Sequence, residues 1–153
     1  MSKSKYQEIH DLLSLTKKQL ENIPGCRVII HVAFQKDKYK PTVEESNNME
    51  YIVNLVADHF NTTKDEIKGK SRKTNIVFAR YMSVAAIKHT YFVATYNVIA
   101  DYIGYLGESK HTSVFHSLKT HNDLYDTDES YRIKYESIID IINQFINKQN
   151  QKK

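Results

Sequence analysis

Glycine and proline are scarce in this chain, at four and two of 153 residues, there is no tryptophan, and the only cysteine is Cys26. A single thiol excludes an intramolecular disulfide and makes a multi-thiolate metal site untenable, which fits a reducing cytoplasm. Few glycines argue against an enzyme that cradles phosphates or a cofactor, because such loops need glycine where backbone closely approaches a ligand. Apolar runs stay far below the roughly 18 residues of a membrane span. The N-terminal Met1-Ser2-Lys3-Ser4-Lys5 lacks the apolar core of a secretory signal, so a cytoplasmic location is expected, with no membrane partner. What is present is ordinary for a globular protein: 41% hydrophobic and 26% charged residues, in a length that allows one domain plus an appendage.

The net charge of +4 is unevenly spread. Lys64, Lys68, Lys70, Arg72, Lys73, Arg80 and Lys88 face only Asp65 and Glu66 between residues 64 and 88. Such a basic stripe is the footprint of a phosphate-backbone binder, although a solvated lysine-rich face would look the same by charge alone.

Hydrophobic periodicity gives a helix over residues 4–21, where Tyr6, Ile9, Leu13, Thr16 and Leu20 share one face. Pro24-Gly25 ends it. Val28, Ile30, Val32 and Phe34 alternate in a β-branched run that reads as a strand. A lone strand leaves its backbone groups without partners, so it pairs with a strand from another subunit or is instead a buried helix. Residues 35–48, with Pro41, read as a linker. From Met49 the pattern is helical throughout. Met49, Ile52, Val53, Val56 and Phe60 form one face, and Thr63 with Glu66 makes a capping-box signal for a short helix. A basic loop over 68–73 follows, then helices at about 75–90, 95–103 and 110–121. A last helix starts at the acidic cluster Asp123, Asp126, Asp128 and Glu129, with Tyr131, Tyr135, Ile138, Ile142 and Phe145 on its inner side.

Two stretches carry a family resemblance: Gly69-Lys70-Ser71-Arg72-Lys73-Thr74-Asn75-Ile76-Val77-Phe78-Ala79-Arg80-Tyr81-Met82, and Lys110-His111-Thr112-Ser113-Val114-Phe115-His116-Ser117. Between them lies Ile99-Ala100-Asp101-Tyr102-Ile103-Gly104. In this order they resemble the C-terminal DNA-binding domain (domain IV) of the bacterial replication initiator DnaA, over residues 49–124. The resemblance implies a mainly α fold with a Trp-repressor-like helix-turn-helix at 49–153. Residues 1–48 lie outside the resemblance; by their periodicity they form a small α+β segment, expected to serve dimerisation or partner docking. The resemblance also implies sequence-specific binding to double-stranded DNA in replication or transcription, close to the nucleoid of a bacterial or phage-infected cell. By position, Arg72 enters the minor groove, Arg80, His111, Thr112 and His116 face base edges, and Lys88 contacts phosphate. Lys70, Lys73, Tyr81, Lys110 and Ser113 complete the expected DNA-binding set. The chemistry agrees, since arginine can bond guanine bidentately and a threonine methyl packs on that of thymine.

This sequence departs from the family at several points. Phe78-Ala79 replaces arginine-proline, Tyr81 a glutamine and Lys110 an aspartate, and the turn before Lys110 is about three residues longer. Base preference therefore does not transfer. A G-x-x-x-x-G-K-[ST] loop is absent, so neither ATPase activity nor a cofactor is expected. His111, His116 and His121 do not converge on a metal, because a spacing of five turns successive side chains about 140° apart on a helix. Val114 and Phe115 are expected in the core, as are most of the eleven tyrosines, Tyr81 excepted. The competing reading is a protein-interaction adaptor that keeps the fold without base reading.

Overall fold

The computed structural model describes residues 5–23 and 39–152. Among them are seven helices and no strand: α1 Lys5–Glu21, α2 Val43–His59, α3 Lys64–Lys68, α4 Thr74–Thr90, α5 Tyr96–Ile103, α6 Lys110–Thr127 and α7 Glu129–Asn150. The expected strand over 28–34 lies outside the described residues, and the α+β character of the N-terminal segment has no support among them.

Helix α4 is the axis of the domain. Ile76, Ala79, Met82, Ser83, Val84, Ala85, Ala86 and Ile87 are all buried, so it is apolar almost all round, as a helix enclosed by its neighbours must be. Around it pack α2, α3, α5, α6 and α7. Their contributions include Met49, Ile52, Val53 and Val56 from α2, Ile67 from α3, Ile99 and Ile103 from α5, Val114 from α6, and Ile138 and Ile142 from α7. Phe145, on the same side of α7, is half-buried and stacks on Tyr51 of α2 at 4.0 Å between centroids.

The helix that carries Met49 begins before it. Helix α2 starts at Val43, where the Thr42 hydroxyl accepts from the Glu45 N–H and the Glu45 carboxylate accepts from the Thr42 N–H. This reciprocal cap satisfies two otherwise orphaned donors. Residues 43–48, expected as linker, are polar for a different reason. Asn48 is buried and donates to Tyr91 Oη at 2.9 Å and Gln149 Oε1 at 3.1 Å, a bridge from α2 to α7. At the other end of the domain, Asp128 caps α7 by accepting from the Tyr131 N–H. Asp123 and Asp126, expected with it, belong to the last turns of α6.

Helix α1 leans on the C-terminal end of α4. His10 Nε2 lies 3.0 Å from the Thr90 carbonyl oxygen, and its ring stacks on Phe92 at 4.4 Å. Leu12 and Leu15 on its outer side remain exposed. No helix among the described residues is long and apolar enough to cross a membrane.

Candidate nucleic-acid interface

Helices α5 and α6 and the turn between them form a helix-turn-helix. Thr95 caps α5, and Gly104 ends it in the left-handed conformation at φ 78°. A Cβ at Gly104 would sit 2.6 Å from the Lys68 carbonyl oxygen and 2.8 Å from Lys68 Cβ. Only glycine fits there, and the close approach brings the start of the basic loop against the start of the turn. Within the turn, the Tyr105 hydroxyl bonds Ser117 Oγ on α6 at 2.7 Å, while Leu106 stands 83% exposed.

The first turns of α6 present a single solvent-facing strip of His111, Thr112, Phe115, His116 and Lys119, all exposed. Val114, Ser117 and His121 make the buried stripe. His111, Thr112 and His116 thus lie together on the free side, as expected. Phe115, expected in the core, lies 100° round the helix from Val114 and is 47% exposed. Lys119 was not anticipated, although its spacing of seven from Thr112 would have placed it on this strip. Ser113 is partly buried and its hydroxyl donates back to the Ser109 carbonyl at 3.3 Å. Lys110 Nζ pairs with Asp101 of α5 at 2.7 Å, tying the two helices together.

In the basic loop, Lys70, Arg72 and Lys73 are exposed. Arg80 and Lys88, placed by the resemblance among reader and phosphate contacts, point inward instead. Arg80 is buried, and its guanidinium donates to the carbonyls of Ile67 (2.6 Å), Ser71 (2.5 Å), Gly69 (2.6 Å) and Glu66 (3.1 Å). Lys88 Nζ donates to the carbonyls of Phe92 (2.5 Å) and Ala94 (2.9 Å), under the Tyr96 ring. Burial pushes the Lys88 pKa down to about 8. The physical reason is common to both. The connections leaving α3 and α4 carry carbonyls that no helix partner satisfies, and long cationic side chains from the enclosed α4 reach them. Tyr81 is partly buried. Among the described residues no group of His, Cys, Asp and Glu could hold a metal ion.

The geometry defines a helical domain built on a helix-turn-helix with a basic loop beside its turn. Residues 49–120 match the family model described as the bacterial DnaA protein helix-turn-helix, and this part of the chain is a domain of that family. Among similar proteins are the chromosomal replication initiator proteins DnaA of Campylobacter concisus (30% identity over 115 residues, 73% of this chain and 26% of the relative) and Nautilia profundicola (31% over 112 residues, 71% and 25%). That of Sulfurimonas denitrificans is 28% identical over 114 residues, 72% of this chain and 25% of the relative. The chain therefore spans about a quarter of the length of these relatives. No solved structure gives a significant match.

Proposed function

We propose that this chain is a sequence-specific binder of double-stranded DNA, acting in replication or transcription without an ATPase of its own. The observation that carries this reading is the exposed α6 strip on the helix that follows the turn, with the basic loop held beside that turn by the Gly104–Lys68 contact. In this reading the start of α6 enters the major groove. His111, Thr112 and His116 meet base edges, and Phe115 packs on thymine methyl groups. Lys110 and Ser113 border that strip, and Tyr81, half-buried on α4, completes the proposed set. Lys70, Arg72, Lys73 and Lys119 supply the positive charge, with Arg72 reaching the minor groove. Residues 1–48 join two copies into a homodimer, for which the exposed Leu12 and Leu15 of α1 offer apolar surface. Light scattering at high concentration should give twice the chain mass, and a monomer would remove that part.

The test is a binding selection from random duplexes followed by titration of the winner at several salt concentrations. Four cations at the duplex surface, Arg72 in the minor groove among them, give a slope of log K against log salt of about −3 to −4. An enriched motif with that slope is expected. Salt-dependent binding without a motif would leave a non-specific binder, and no binding would favour the adaptor reading.

A further inference from the structure

We infer that Arg80 is a positioning residue that pre-forms the basic loop for DNA, and does not itself read bases. The inference rests on the duplex-binding reading above but makes a separate claim about the free protein. Helix α3 has only five residues, too short to persist without tertiary support. Its Glu66 carbonyl accepts from the Gly69 N–H at 3.2 Å, whereas the carbonyls of Ile67, Gly69 and Ser71 lie past the last helical donor. The Arg80 guanidinium fills that gap. Its donors reach carbonyls at 66, 67, 69 and 71, both sides of the Gly69 link, and leave little donor capacity for a base.

With these carbonyls drawn inward, the exposed Lys70 and Arg72 are carried on a backbone already fixed to α4. Lys68, just before them, is wedged against Gly104 at the turn of the helix-turn-helix. Arg80 therefore sets the distance between the loop cations and the α6 strip. A loop ordered before binding loses less conformational freedom on the duplex. Lysine cannot take over the role, because a single ammonium lacks the planar fork that reaches several diverging acceptors.

The test uses the full chain with Arg80→Met, which keeps the apolar stem, and Arg80→Lys, which keeps the charge. Hydrogen exchange is measured over residues 66–73 without DNA, and base preference is measured by selection. Amide exchange in the loop should rise tenfold or more in Arg80→Met and by less in Arg80→Lys, with the other helices unchanged. Affinity should fall for all duplexes with the preferred motif preserved. In a Lys70→Ala, Arg72→Ala, Lys73→Ala background, Arg80→Met should cost no further affinity. Loop exchange equal to wild type, or a changed motif in either variant, overturns the inference. Should Arg80→Met unfold, Arg80→Lys carries the same two measurements. If the wild-type chain binds no duplex, the function reading falls while loop exchange still decides whether Arg80 orders the loop.

Discussion

Lys88 offers a quantitative test of the inward-facing cations. Its pKa falls from 10.5 to about 8 because burial disfavours the charged form. Between these values the unfolded chain binds more protons than the folded one, so stability rises with pH through this window. At 1.36 kcal/mol per unit, the penalty for holding the ammonium inside is at most about 3 kcal/mol below pH 8. Most of it disappears by pH 10. The two carbonyl acceptors offset part of that cost, so this figure is an upper bound. Lys88→Met removes the titrating group, and it also leaves the carbonyls of Phe92 and Ala94 without this donor, at about 1–3 kcal/mol each. Near pH 7 the loss of about 2–6 kcal/mol from the two carbonyls matches or exceeds the gain of at most about 3 kcal/mol.

The informative quantity is the difference in urea-unfolding free energy between wild type and Lys88→Met at pH 7, 8, 9 and 10. It should shift in favour of wild type by about 2–3 kcal/mol across this range. Tyrosine ionisation does not interfere: burial raises the Tyr91 pKa to about 12, and Tyr39 and Tyr131 are raised further. Their destabilising effect, which sets in above about pH 10 as the unfolded tyrosines ionise, is common to both proteins. A phosphate-facing Lys88 would be hydrated and titrate normally, making the two curves parallel. It would also make Lys88→Met shrink the salt slope of duplex binding by about 1, whereas an inward ammonium leaves the slope unchanged. Parallel stability curves with a reduced slope would refute the reasoning.

Gly104→Ala should destabilise by more than about 2 kcal/mol, since left-handed backbone strain adds to a Cβ lodged against Lys68. Gly107→Ala, at φ 82° in open space, should cost only about 1 kcal/mol in the same urea assay. Phe115→Ala should leave stability within about 1 kcal/mol while weakening the preferred duplex by about 1 kcal/mol. Replacing the contacted thymines by deoxyuridine should weaken wild type but not the variant. Duplex titrations with and without ATP and magnesium should give equal affinities and no phosphate release. An ATP-specific gain would point to a nucleotide site in residues 1–48.

Much of the fold is written in local patterns. The Met49–Phe60 face, the Thr63–Glu66 cap and the Tyr131–Ile142 stripe each follow from spacing, and all three recur in the structure. The Thr42–Glu45 cap was equally legible, but the polarity of residues 43–48 hid it. Asn48 looks like linker because its partner Gln149 is 101 residues away. Phe115 departs from its expected core position for a geometric reason. Adjacent residues on a helix differ by 100°, so Val114 and Phe115 cannot both lie at the centre of one narrow buried stripe, and His111 with Thr112 shows which side is free.

The directions of Arg80 and Lys88 were not legible in the same way. Sequence periodicity treats a charge as a mark of solvent, yet α4 has almost no solvent face. What turns the two cations inward is a need located elsewhere, in the carbonyls of Ile67, Gly69, Ser71, Phe92 and Ala94, which lie beyond the helical hydrogen-bond ladders. Backbone acceptors leave no trace in residue type. A basic stripe read from sequence therefore overcounts the charge available to a ligand: of its seven cations, Arg80 and Lys88 serve backbone carbonyls, and Lys64 and Lys68 bind Glu50. The free charge is concentrated at Lys70, Arg72 and Lys73, the segment that Arg80 holds.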